Sequence, residues 1–382
     1  MLKTPEFWYK KNIQSKIKSF ILFPLSILWV LIDEFKRHFS KNYKSKLKVV
    51  CIGNLTVGGT GKTPFSIYTY KLLKNLGYNP VFLTRGYGGL KKGPLEVDNS
   101  HHFQDVGDES ILLSKVGTTI VSKDRSLGAK FIEKHKNNFN VIVMDDGLQN
   151  YQLNKDVKFL LIDKHLKLGN GNCVPAGPLR QPVKSGLNDI DKIILTGEGD
   201  KNEKDLFKSF NIPIIRSNIK TTSLPKIKKE KLLAFCGLAN PNKFFDTLKK
   251  NGYEISSTRK FPDHYAYKKN DINNLIFYAN ERNLKLITTE KDYVKISENK
   301  NHIHFLPIEL ELSLKDKLNF ELFLLKSPLL FKLPDLGETP GLFGAPCRFC
   351  EPGLVDIPGL IGAPCRFCEP GLVDIPGLLG AP

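Results

Sequence analysis

The segment that most constrains the fold is a glycine-rich stretch at residues 57–63, which reads Val-Gly-Gly-Thr-Gly-Lys-Thr. It follows a short apolar run at residues 49–52 and precedes residues 65–76, where apolar side chains recur at helical spacing. A strand, a glycine-rich loop and a helix in this order form the phosphate-binding unit of α/β proteins. The sequence therefore predicts an α/β fold with a P-loop NTPase-like parallel sheet.

The chemistry of this loop suits a nucleotide. The residues that we expect to contact phosphate are Gly58, Gly59, Thr60, Gly61, Lys62 and Thr63. Glycines allow consecutive backbone N–H groups to turn toward one anion, and the dipole of the following helix adds to the attraction. Lys62 can reach the β- and γ-phosphates of ATP, and Thr63 can bind Mg²⁺. The first glycine of the complete motif is missing because position 56 is Thr, so a glycine-rich turn without a ligand is the alternative.

A second apolar run, at residues 141–144, leads directly into Asp145 and Asp146. A buried parallel strand that delivers carboxylates at its end is typical of the Mg²⁺ site in phosphate-loop enzymes. Ligands of open α/β sheets bind beyond the carboxyl ends of the strands, so we expect this pair to meet the glycine-rich loop. One aspartate would hold Mg²⁺ and the other would orient its surroundings. The sequence leaves open which one does so, and two acids in a solvated turn are the alternative.

The N-terminal segment is both basic and apolar. Residues 1–48 hold eleven Lys and Arg against three acidic residues, and residues 20–32 form a run of thirteen without a charge. As a helix, thirteen residues extend about 20 Å, which is less than the roughly 30 Å of a hydrocarbon core. Apolar residues recur at spacings of three and four between positions 13 and 39, which predicts a helix lying in a membrane interface. A buried core helix with solvated ends is the alternative.

The net charge narrows the class of partner. The 382 residues include 57 Lys and Arg against 39 Asp and Glu, a formal net charge of +18, so anionic partners are favoured. On charge alone, phosphorylated substrates, an anionic membrane and nucleic acid all remain open. Nearly half of the excess surrounds the apolar N-terminal run and is not interleaved with aromatic residues as on a base-stacking surface. We therefore expect a membrane surface and phosphates as partners, and no nucleic acid.

Composition divides the chain into four predicted parts. They are a membrane-associated N-terminal segment at 1–48, a phosphate-loop domain at 49–225, a smaller α/β domain at 226–330 and a Gly/Pro-rich tail at 331–382. The tail repeats an 18-residue unit and is predicted to be disordered. The tail contains four cysteines, Cys347, Cys350, Cys365 and Cys368, whose spacing is close to that of a zinc site. The second pair is a copy of the first, so the spacing is a result of the repeat.

Ordered segments along the chain carry a more specific signal than any single motif. They are Gly-Asn-Leu at 53–55 before the glycine-rich loop, Thr-Arg-Gly-Tyr-Gly at 84–88, Val-Gly-Asp-Glu at 106–109, Asp-Asp-Gly-Leu-Gln at 145–149, Pro-Ala-Gly-Pro-Leu-Arg at 175–180, Phe-Cys-Gly-Leu-Ala-Asn-Pro at 235–241, Phe-Pro-Asp-His at 261–264 and Thr-Thr-Glu-Lys-Asp at 288–292. Together these segments resemble the tetraacyldisaccharide 4'-kinases, which phosphorylate a lipid A precursor.

The resemblance implies transfer of the ATP γ-phosphoryl group, with Mg²⁺, to the 4'-hydroxyl of an acylated disaccharide 1-phosphate in lipid A biosynthesis. It implies that Asp108 accepts the hydroxyl proton, that His264 is its partner from the second domain, and that Lys62 assists transfer. The residues assigned to the substrate are Arg85, Tyr87, Arg125, Gln149 and Arg180. The family's membrane-associated helix matches the N-terminal segment, which implies the cytoplasmic face of the inner membrane.

Two positions depart from the family's pattern, since Asn150 stands where His is usual and Gln181 where Glu is usual. The missing carboxylate at 181 leaves a metal or proton role there unsupported, whereas the loop, Asp108 and His264 are intact. Two other interpretations stay open on the sequence. One is a membrane-associated ATPase or nucleotide switch without a lipid acceptor, and the other is a basic nucleic-acid-binding ATPase. No pattern specifies the acyl-chain preference or the oligomeric state.

Overall fold

A computed structural model describes residues 4–197, 211–222, 227 and 229–326. The chain divides into two compact units, Met1–Phe331 and Lys332–Pro382. The predicted disordered tail, with the cysteines whose zinc binding the sequence left open, falls outside the described residues. The elements below all belong to the first unit.

Two sheets organise this unit. The strands are β1 Lys48–Asn54, β2 Pro80–Thr84, β3 Leu95–Glu96, β4 Thr119–Val121, β5 Val141–Asp145, β6 Val157–Asp163, β7 Lys192–Thr196, β8 Ile214–Thr221, β9 Lys231–Cys236, β10 Glu254–Lys260, β11 Lys285–Thr289, β12 Ile303–Leu306 and β13 Ile308–Leu312. In the described chain, the larger sheet has nine strands in the order β13-β8-β7-β6-β1-β5-β2-β4-β3. Its pairs are parallel except at the two edges, where β13 meets β8 and β3 meets β4. The central β1 lies between β5 and β6, so the chain leaves it in both directions, and ligands bind at such switch points.

Helices cover both faces of the larger sheet. The helices of the unit are α1 Ile13–Phe39, α2 Lys62–Asn75, α3 Phe103–Val106, α4 Asp108–Ser114, α5 Arg125–Glu133, α6 Val183–Leu187, α7 Pro241–Lys250, α8 Lys269–Glu281, α9 Glu290–Tyr293 and α10 Leu314–Lys326. On one face, Phe65 of α2, Phe159 of β6 and Phe320 of α10 pack with ring centroids 5.1 to 5.8 Å apart. On the other face, Ile132 of α5 packs against Ile142 of β5. This burial of β1 and β5 holds their carboxyl ends rigidly beside α2.

The smaller sheet is fully parallel, in the order β10-β9-β11-β12. Helix α7 packs on one face through Phe244, Phe245 and Leu248, and α8 packs on the other through Ile272 and Leu275. The loop after β10 and helix α9 after β11 both lie at the carboxyl ends of their strands. The predicted fold class, a parallel α/β sheet with an N-terminal apolar helix and a smaller α/β unit, is confirmed.

The smaller α/β domain covers less of the chain than the predicted range, residues 226–330. Strand β13 leaves it and pairs antiparallel with β8 at the edge of the larger sheet. Helix α10 follows β13, and its Phe320 and Leu324 are buried in the core of the larger sheet. The backbone groups along one edge of β8 can pair with a returning strand, and the apolar side chains of α10 cover that end of the sheet.

Helix α1 spans the whole segment in which apolar residues recur and is longer than the charge-free run at residues 20–32. It has 27 residues, about 40 Å, and continues through Pro24. By length and composition alone, it is able to cross a membrane. Three buried serines, Ser15, Ser19 and Ser26, mark the face that contacts the protein. The remaining surface exposes large apolar side chains, which does not fit a core helix: Ile13, Ile17, Phe20, Ile21, Phe23, Leu25, Ile27, Leu28, Trp29, Leu31, Ile32, Phe35 and Phe39.

Candidate functional site

The glycine-rich loop joins β1 to α2 at the centre of the larger sheet. Helix α2 begins at Lys62, and the preceding Gly61 has a φ of 88°, a left-handed conformation that favours glycine. The Asn54 side chain donates hydrogen bonds to two loop carbonyls at 2.7 and 3.4 Å, which fixes the start of the loop. The Thr60 hydroxyl is buried without a hydrogen-bond partner among the described residues. The loop thus has the preformed shape that a phosphate group requires.

Asp145 ends β5, directly beside the loop. It is fully buried and accepts a hydrogen bond from the Ser66 hydroxyl at 2.7 Å, while the Thr63 hydroxyl lies 3.5 Å from its other oxygen. No ion pair to Asp145 occurs within the described part of the chain. Burial, together with the charge of Glu109, raises the pKa of Asp145 above its ordinary value. The charge of Lys62 acts in the opposite direction without forming an ion pair with Asp145.

Asp146, the next residue, faces cations instead. Its carboxylate lies 2.8 Å from Nη1 of Arg180 and 3.7 Å from Nζ of Lys62. Burial alone would raise the pKa of Asp146, but the charges of Lys62 and Arg180 outweigh it and lower the pKa to about 2. The chain turns between the two aspartates, since Asp146 has a φ of 49°. Adjacent carboxylates therefore point into different surroundings.

The residues near Asp145 fit Mg²⁺ bound together with a nucleotide. The described residues include no cluster of three His, Cys, Asp or Glu that would hold a metal by itself. In phosphoryl-transfer sites, Mg²⁺ usually takes one or two protein oxygens and completes its shell with phosphate and water. Asp145 and the Thr63 hydroxyl supply such oxygens, and Asp145 is the buried carboxylate that forms no ion pair among the described residues. Asp146 is already paired with two cations and fits this role less well.

Asp108 and His264 meet across the two sheets. Asp108 begins α4 and is only 3% exposed, and His264 lies in the loop after β10. Nδ1 of His264 is 2.9 and 3.1 Å from the two carboxylate oxygens of Asp108. Gly107, with a φ of 87°, places Asp108 here, because a Cβ at 107 would lie 2.4 Å from the carbonyl oxygen of Tyr87. The pair expected from the family resemblance is formed.

Positive charge from the smaller sheet surrounds Asp108. Burial alone would raise the pKa of Asp108, but the charge of Lys291, the hydrogen bond from His264 and the charge of Lys295 lower it to about 2. Nζ of Lys291 lies 3.1 Å from Nε2 of His264 and 3.4 Å from Oε1 of Glu109. Nζ of Lys295 lies 4.0 Å from Asp108 and is buried. The carboxylate is therefore ionised at neutral pH.

Three residues assigned to the substrate from the sequence lie near this pair and the phosphate loop. The ring of Tyr87 contacts that of His264 edge to face, with centroids 5.2 Å apart, and half of the Tyr87 side chain is exposed. Arg125 is buried. Burial and, as a smaller effect, the positive charge of the exposed Arg85 lower the pKa of Arg125 to about 10, so Arg125 stays cationic at neutral pH. Its Nη1 donates to the carbonyl of Ser122 at 2.6 Å, and its Nε has no partner among the described residues.

Arg180 and Gln149 join the phosphate loop to the surface that carries α1. Nη1 of Arg180 donates to Gln149 Oε1 at 3.3 Å, and Gln149 Nε2 donates to the carbonyl of Asn54 at 2.9 Å. The backbone carbonyl of Arg180 accepts a hydrogen bond from Nε1 of Trp29 in α1 at 2.7 Å. Arg180 therefore contacts both the apolar helix α1, through its carbonyl, and Asp146, through its side chain.

Further hydrogen bonds hold α1 along its length to the segment before Arg180. The Ser19 hydroxyl donates to the carbonyl of Ala176 at 2.7 Å. The Ser26 hydroxyl donates to the carbonyl of Cys173 at 2.8 Å and accepts from the backbone N–H of Ala176 at 3.0 Å. Nearer the N-terminus, Trp8 Nε1 donates to the carbonyl of Pro175 at 3.0 Å. Small hydroxyl side chains allow this close approach of helix and loop.

The structure thus brings the sequence-predicted site residues into two linked groups. Lys62, Thr63, Asp145, Asp146, Gln149 and Arg180 surround the loop, and Asp108, His264 and Tyr87 lie at the junction of the sheets, with Arg85 and Arg125 near each other. Sequence reasoning assigned no role to four residues in contact with them: Ser66, Glu109, Lys291 and Lys295. Glu109 and Lys291 lie inside segments that carry the family resemblance, which was the available signal.

The two departures from the family pattern lie close by. Asn150 donates from its side chain to Gln152 Oε1 at 3.1 Å, a contact within its own loop. Gln181 is buried, and its Oε1 has no hydrogen-bond partner within the residues that the structure describes. Neither residue forms an ion pair, so the site relies on Asp145 and Asp146 for its carboxylates on this side.

The sequence profile of the tetraacyldisaccharide-1-P 4'-kinases (LpxK) matches residues 18–327. The chain belongs to this family. A tetraacyldisaccharide 4'-kinase of Methylobacterium nodulans is 36% identical over 321 residues, which cover 82% of this chain and 93% of the relative. One of Rickettsia felis is 35% identical over 319 residues, covering 84% and 96%. The crystal structure of LpxK from Aquifex aeolicus in complex with ATP matches with a TM-score of 0.64 at 28% identity, covering 80% of this chain and 98% of that chain.

Membership of the tetraacyldisaccharide 4'-kinase family confirms the predicted activity. The chain catalyses ATP-dependent phosphorylation of the lipid A disaccharide at its 4' position, and ATP and Mg²⁺ are the cofactors of the reaction. A lipid disaccharide phosphate is its substrate. The interpretations as an ATPase without a lipid acceptor and as a nucleic-acid-binding ATPase give way to this one. One N-terminal apolar helix, α1, is consistent with membrane association.

Proposed function

We propose that the glycine-rich loop, Lys62, Thr63 and Asp145 form the MgATP site of this kinase. Backbone N–H groups from Gly58 to Gly61 would surround the β- and γ-phosphates, with the N-terminus of α2 adding its dipole. Mg²⁺ would neutralise charge that develops on the phosphates during transfer. Asp146 keeps Arg180 and Lys62 in place by pairing with both. Support comes from the buried Asp145 carboxylate beside the Thr63 hydroxyl.

In this proposal Asp108 accepts the proton of the 4'-hydroxyl as the hydroxyl oxygen attacks the γ-phosphorus. A sugar hydroxyl is a weak nucleophile, and a positioned base contributes about 10²- to 10⁴-fold to the rate of such a step. His264 orients the carboxylate through Nδ1. Because the two residues belong to different sheets, the pair is complete only when the larger and the smaller domain are together. Such an arrangement favours closure around both substrates and exclusion of water.

The cationic and amide side chains around this centre suit a phosphorylated sugar. The planar guanidinium groups of Arg85, Arg125 and Arg180 match phosphate oxygens in two-point contacts. Arg125 carries a buried Nε without a partner among the described residues, which supports a ligand there. Tyr87, half exposed beside His264, can lie against the sugar ring, and Gln149 holds Arg180.

We further propose that α1 lies in the cytoplasmic surface of the inner membrane, as a peripheral or monotopic anchor. Hydrogen bonds from Ser19, Ser26 and Trp29 hold one side of the middle of the helix to the protein, and Trp8 holds the segment before it. A helix crossing the bilayer would have to leave that surface. The opposite side is apolar and has Lys-rich ends, which suits an anionic interface where each basic residue adds about 1 kcal/mol. ATP is available on the cytoplasmic side.

The observation that carries the catalytic proposal is the contact of 2.9 Å between His264 and Asp108. The test is phosphorylation of an acylated disaccharide 1-phosphate in detergent micelles with labelled ATP. Asp108→Asn should lose about 10²-fold or more in lipid phosphorylation while ATP binding is kept. Asp246→Asn, which removes an exposed carboxylate from α7, is the matched control. Lipid phosphorylation by Asp108→Asn at the wild-type rate would contradict the assignment of the base.

A further inference from the structure

Lys291 links the Asp108–His264 pair to both sheets. Its Nζ lies 3.1 Å from Nε2 of His264, 3.4 Å from Oε1 of Glu109 and 4.0 Å from Oδ2 of Asp108. Two of these partners belong to α4 on the larger sheet, and His264 belongs to the smaller sheet. The Lys291 side chain is mostly buried at this junction.

The contact with Nε2 determines where the imidazole carries its proton. An ammonium group has three N–H donors and no acceptor, so Nε2 of His264 must accept from Lys291. The neutral ring then carries its hydrogen on Nδ1, and Nδ1 faces both oxygens of Asp108. We propose that Lys291 is a positioning residue for phosphoryl transfer, which fixes the Nδ1-protonated tautomer of His264 and so leaves Asp108 as the proton acceptor. This inference rests on the roles of Asp108 and His264 proposed above.

The environment of Lys291 keeps its ammonium charged. Burial alone would lower the pKa of Lys291, but the charges of Glu109 and Asp108 outweigh it and raise the pKa above its ordinary value. A neutral Lys291 amine would be able to accept a hydrogen bond from Nε2–H, so the contact would no longer keep Nε2 free of hydrogen. The two carboxylates of α4 prevent this.

The backbone that carries Lys291 is also held in place. The Thr289 hydroxyl caps α9 by accepting from the N–H of Asp292 at 3.0 Å. The Asp292 carboxylate accepts from the N–H of Gly237 at 2.9 Å and pairs with Lys295 at 2.7 Å. Helix α9 is thereby tied to the ends of β9 and β11. A lysine held at a fixed backbone position loses less freedom when it forms its hydrogen bonds.

Lys295 and Asp263 also lie near the pair, and neither donates a hydrogen bond to Nε2. Lys295 lies 4.0 Å from Asp108 and contributes charge to that carboxylate. Asp263 lies 4.0 Å from Nε2, too far for a hydrogen bond. Among the described residues, Asp108 accepts from Nδ1–H and Lys291 is the donor that keeps Nε2 free of hydrogen, while Lys291 and Lys295 together keep Asp108 ionised.

The first test measures the whole wild-type protein and uses one variant only to assign the signals. In ¹⁵N-labelled protein, two-bond ¹H–¹⁵N spectra distinguish the two neutral imidazole tautomers and the imidazolium, and a His264→Asn sample identifies the signals among the 8 histidines. We expect His264 to be protonated at Nδ1 alone at neutral pH. A ring protonated at Nε2, or at both nitrogens, overturns the proposal.

The second test removes the ammonium. Lys291→Met removes the donor to Nε2, so a hydrogen should appear on Nε2 in these spectra while Nδ1–H stays on Asp108, and kcat for lipid phosphorylation should fall about tenfold or more, with KM for ATP within about threefold of wild type. Lys291→Arg retains a donor and should recover part of kcat. The matched control is Lys243→Met, because Lys243 of α7 also links the smaller sheet to the larger one, by its 3.1 Å ion pair with Asp163, without contacting His264.

The outcomes separate this inference from the proposed catalytic roles. A His264 ring that still carries hydrogen on Nδ1 alone in Lys291→Met, or an equal fall in kcat in Lys243→Met, overturns the role of Lys291. If Lys291→Met does not fold, Lys291→Leu, which likewise has no donor, takes its place in the same spectra. Normal lipid phosphorylation by Asp108→Asn would instead overturn the assignment of the base, whatever the behaviour of Lys291.

Discussion

Asp145 and Asp146 are consecutive residues in opposite electrostatic surroundings. Asp145 accepts from the Ser66 hydroxyl at 2.7 Å and has a raised pKa, chiefly because it is buried. Asp146 lies 2.8 Å from Arg180 and has a pKa of about 2, because cations outweigh the effect of burial. Two residues of one type can therefore serve two purposes. In the MgATP site proposed above, Asp145 binds the metal ion and Asp146 orients Arg180 and Lys62 toward phosphate.

This difference predicts distinct effects of two isosteric substitutions. Asp145→Asn should raise the Mg²⁺ concentration that gives half-maximal activity by about tenfold or more, because an amide is a weaker Mg²⁺ ligand than a carboxylate. Asp146→Asn should leave the Mg²⁺ requirement near that of wild type and weaken binding of the phosphorylated substrates, since Arg180 loses its partner. Initial rates over a range of Mg²⁺ at fixed ATP measure both. Equal shifts in the two variants would contradict the division of roles.

The pKa of Asp108 predicts a pH dependence of stability. Its pKa of about 2 in the folded protein lies below the ordinary 3.8, which corresponds to about 2 kcal/mol of stabilisation. Because the folded pKa is depressed, this stabilisation is complete above pH 4 and is lost as the pH falls from about 4 to about 2. The denaturant midpoint of Asp108→Asn should therefore lie below that of wild type at pH 6, with a gap that narrows toward pH 3. A gap that widens on acidification would refute the sign.

The parts of the site that the sequence predicted are those encoded by contiguous residues. The apolar run, the loop and the helix start at Lys62 follow one another along the chain, so periodicity and glycine chemistry locate them to within a few residues. The same holds for Asp145 and Asp146 at the end of β5. Periodicity in the N-terminal segment likewise marks both ends of α1.

What the sequence did not reveal depends on contacts between distant residues. His264 is 156 positions from Asp108, and only the family resemblance joined them. Lys291 is 27 positions from His264 and looks like any lysine on a short helix. The return of β13 to the larger sheet was missed because it depends on pairing between segments far apart in the chain, Ile308–Leu312 and Ile214–Thr221. Such partners are determined by tertiary packing.

The exposed face of α1 predicts how the protein binds a membrane. Phe20 and Ile21 are 80% and 68% exposed, and burial of each in the interface contributes about 1.5 to 3 kcal/mol. Replacing both with Ser should weaken binding to vesicles that contain anionic lipid by about tenfold or more, measured by co-sedimentation. Phe277→Ser, at a 66% exposed position on α8, is the control for loss of an exposed aromatic ring and should bind as wild type does. Equal loss in both samples would contradict a specific role for α1.

The last prediction concerns the junction between α1 and the site. The Ser26 hydroxyl is buried and satisfies both the carbonyl of Cys173 and the N–H of Ala176. Ser26→Ala leaves the N–H of Ala176 without a partner, which costs about 1 to 3 kcal/mol for a buried group, while the Cys173 carbonyl keeps its hydrogen bond from the N–H of Gly177 at 2.9 Å. Because the same loop continues to Arg180, we expect a lower melting temperature together with a raised KM for the lipid and a smaller change in KM for ATP.

The matched control for this substitution is Ser40→Ala, since Ser40 donates only to the Lys36 carbonyl at the exposed end of the helix. It should change neither the melting temperature nor the KM for the lipid measurably. If Ser26→Ala lowers the melting temperature and leaves the KM for the lipid unchanged, the helix stabilises the fold without orienting Arg180. A rise in the KM for the lipid means that one loop positions both the surface of α1 and Arg180. Membrane attachment and substrate binding are then physically coupled.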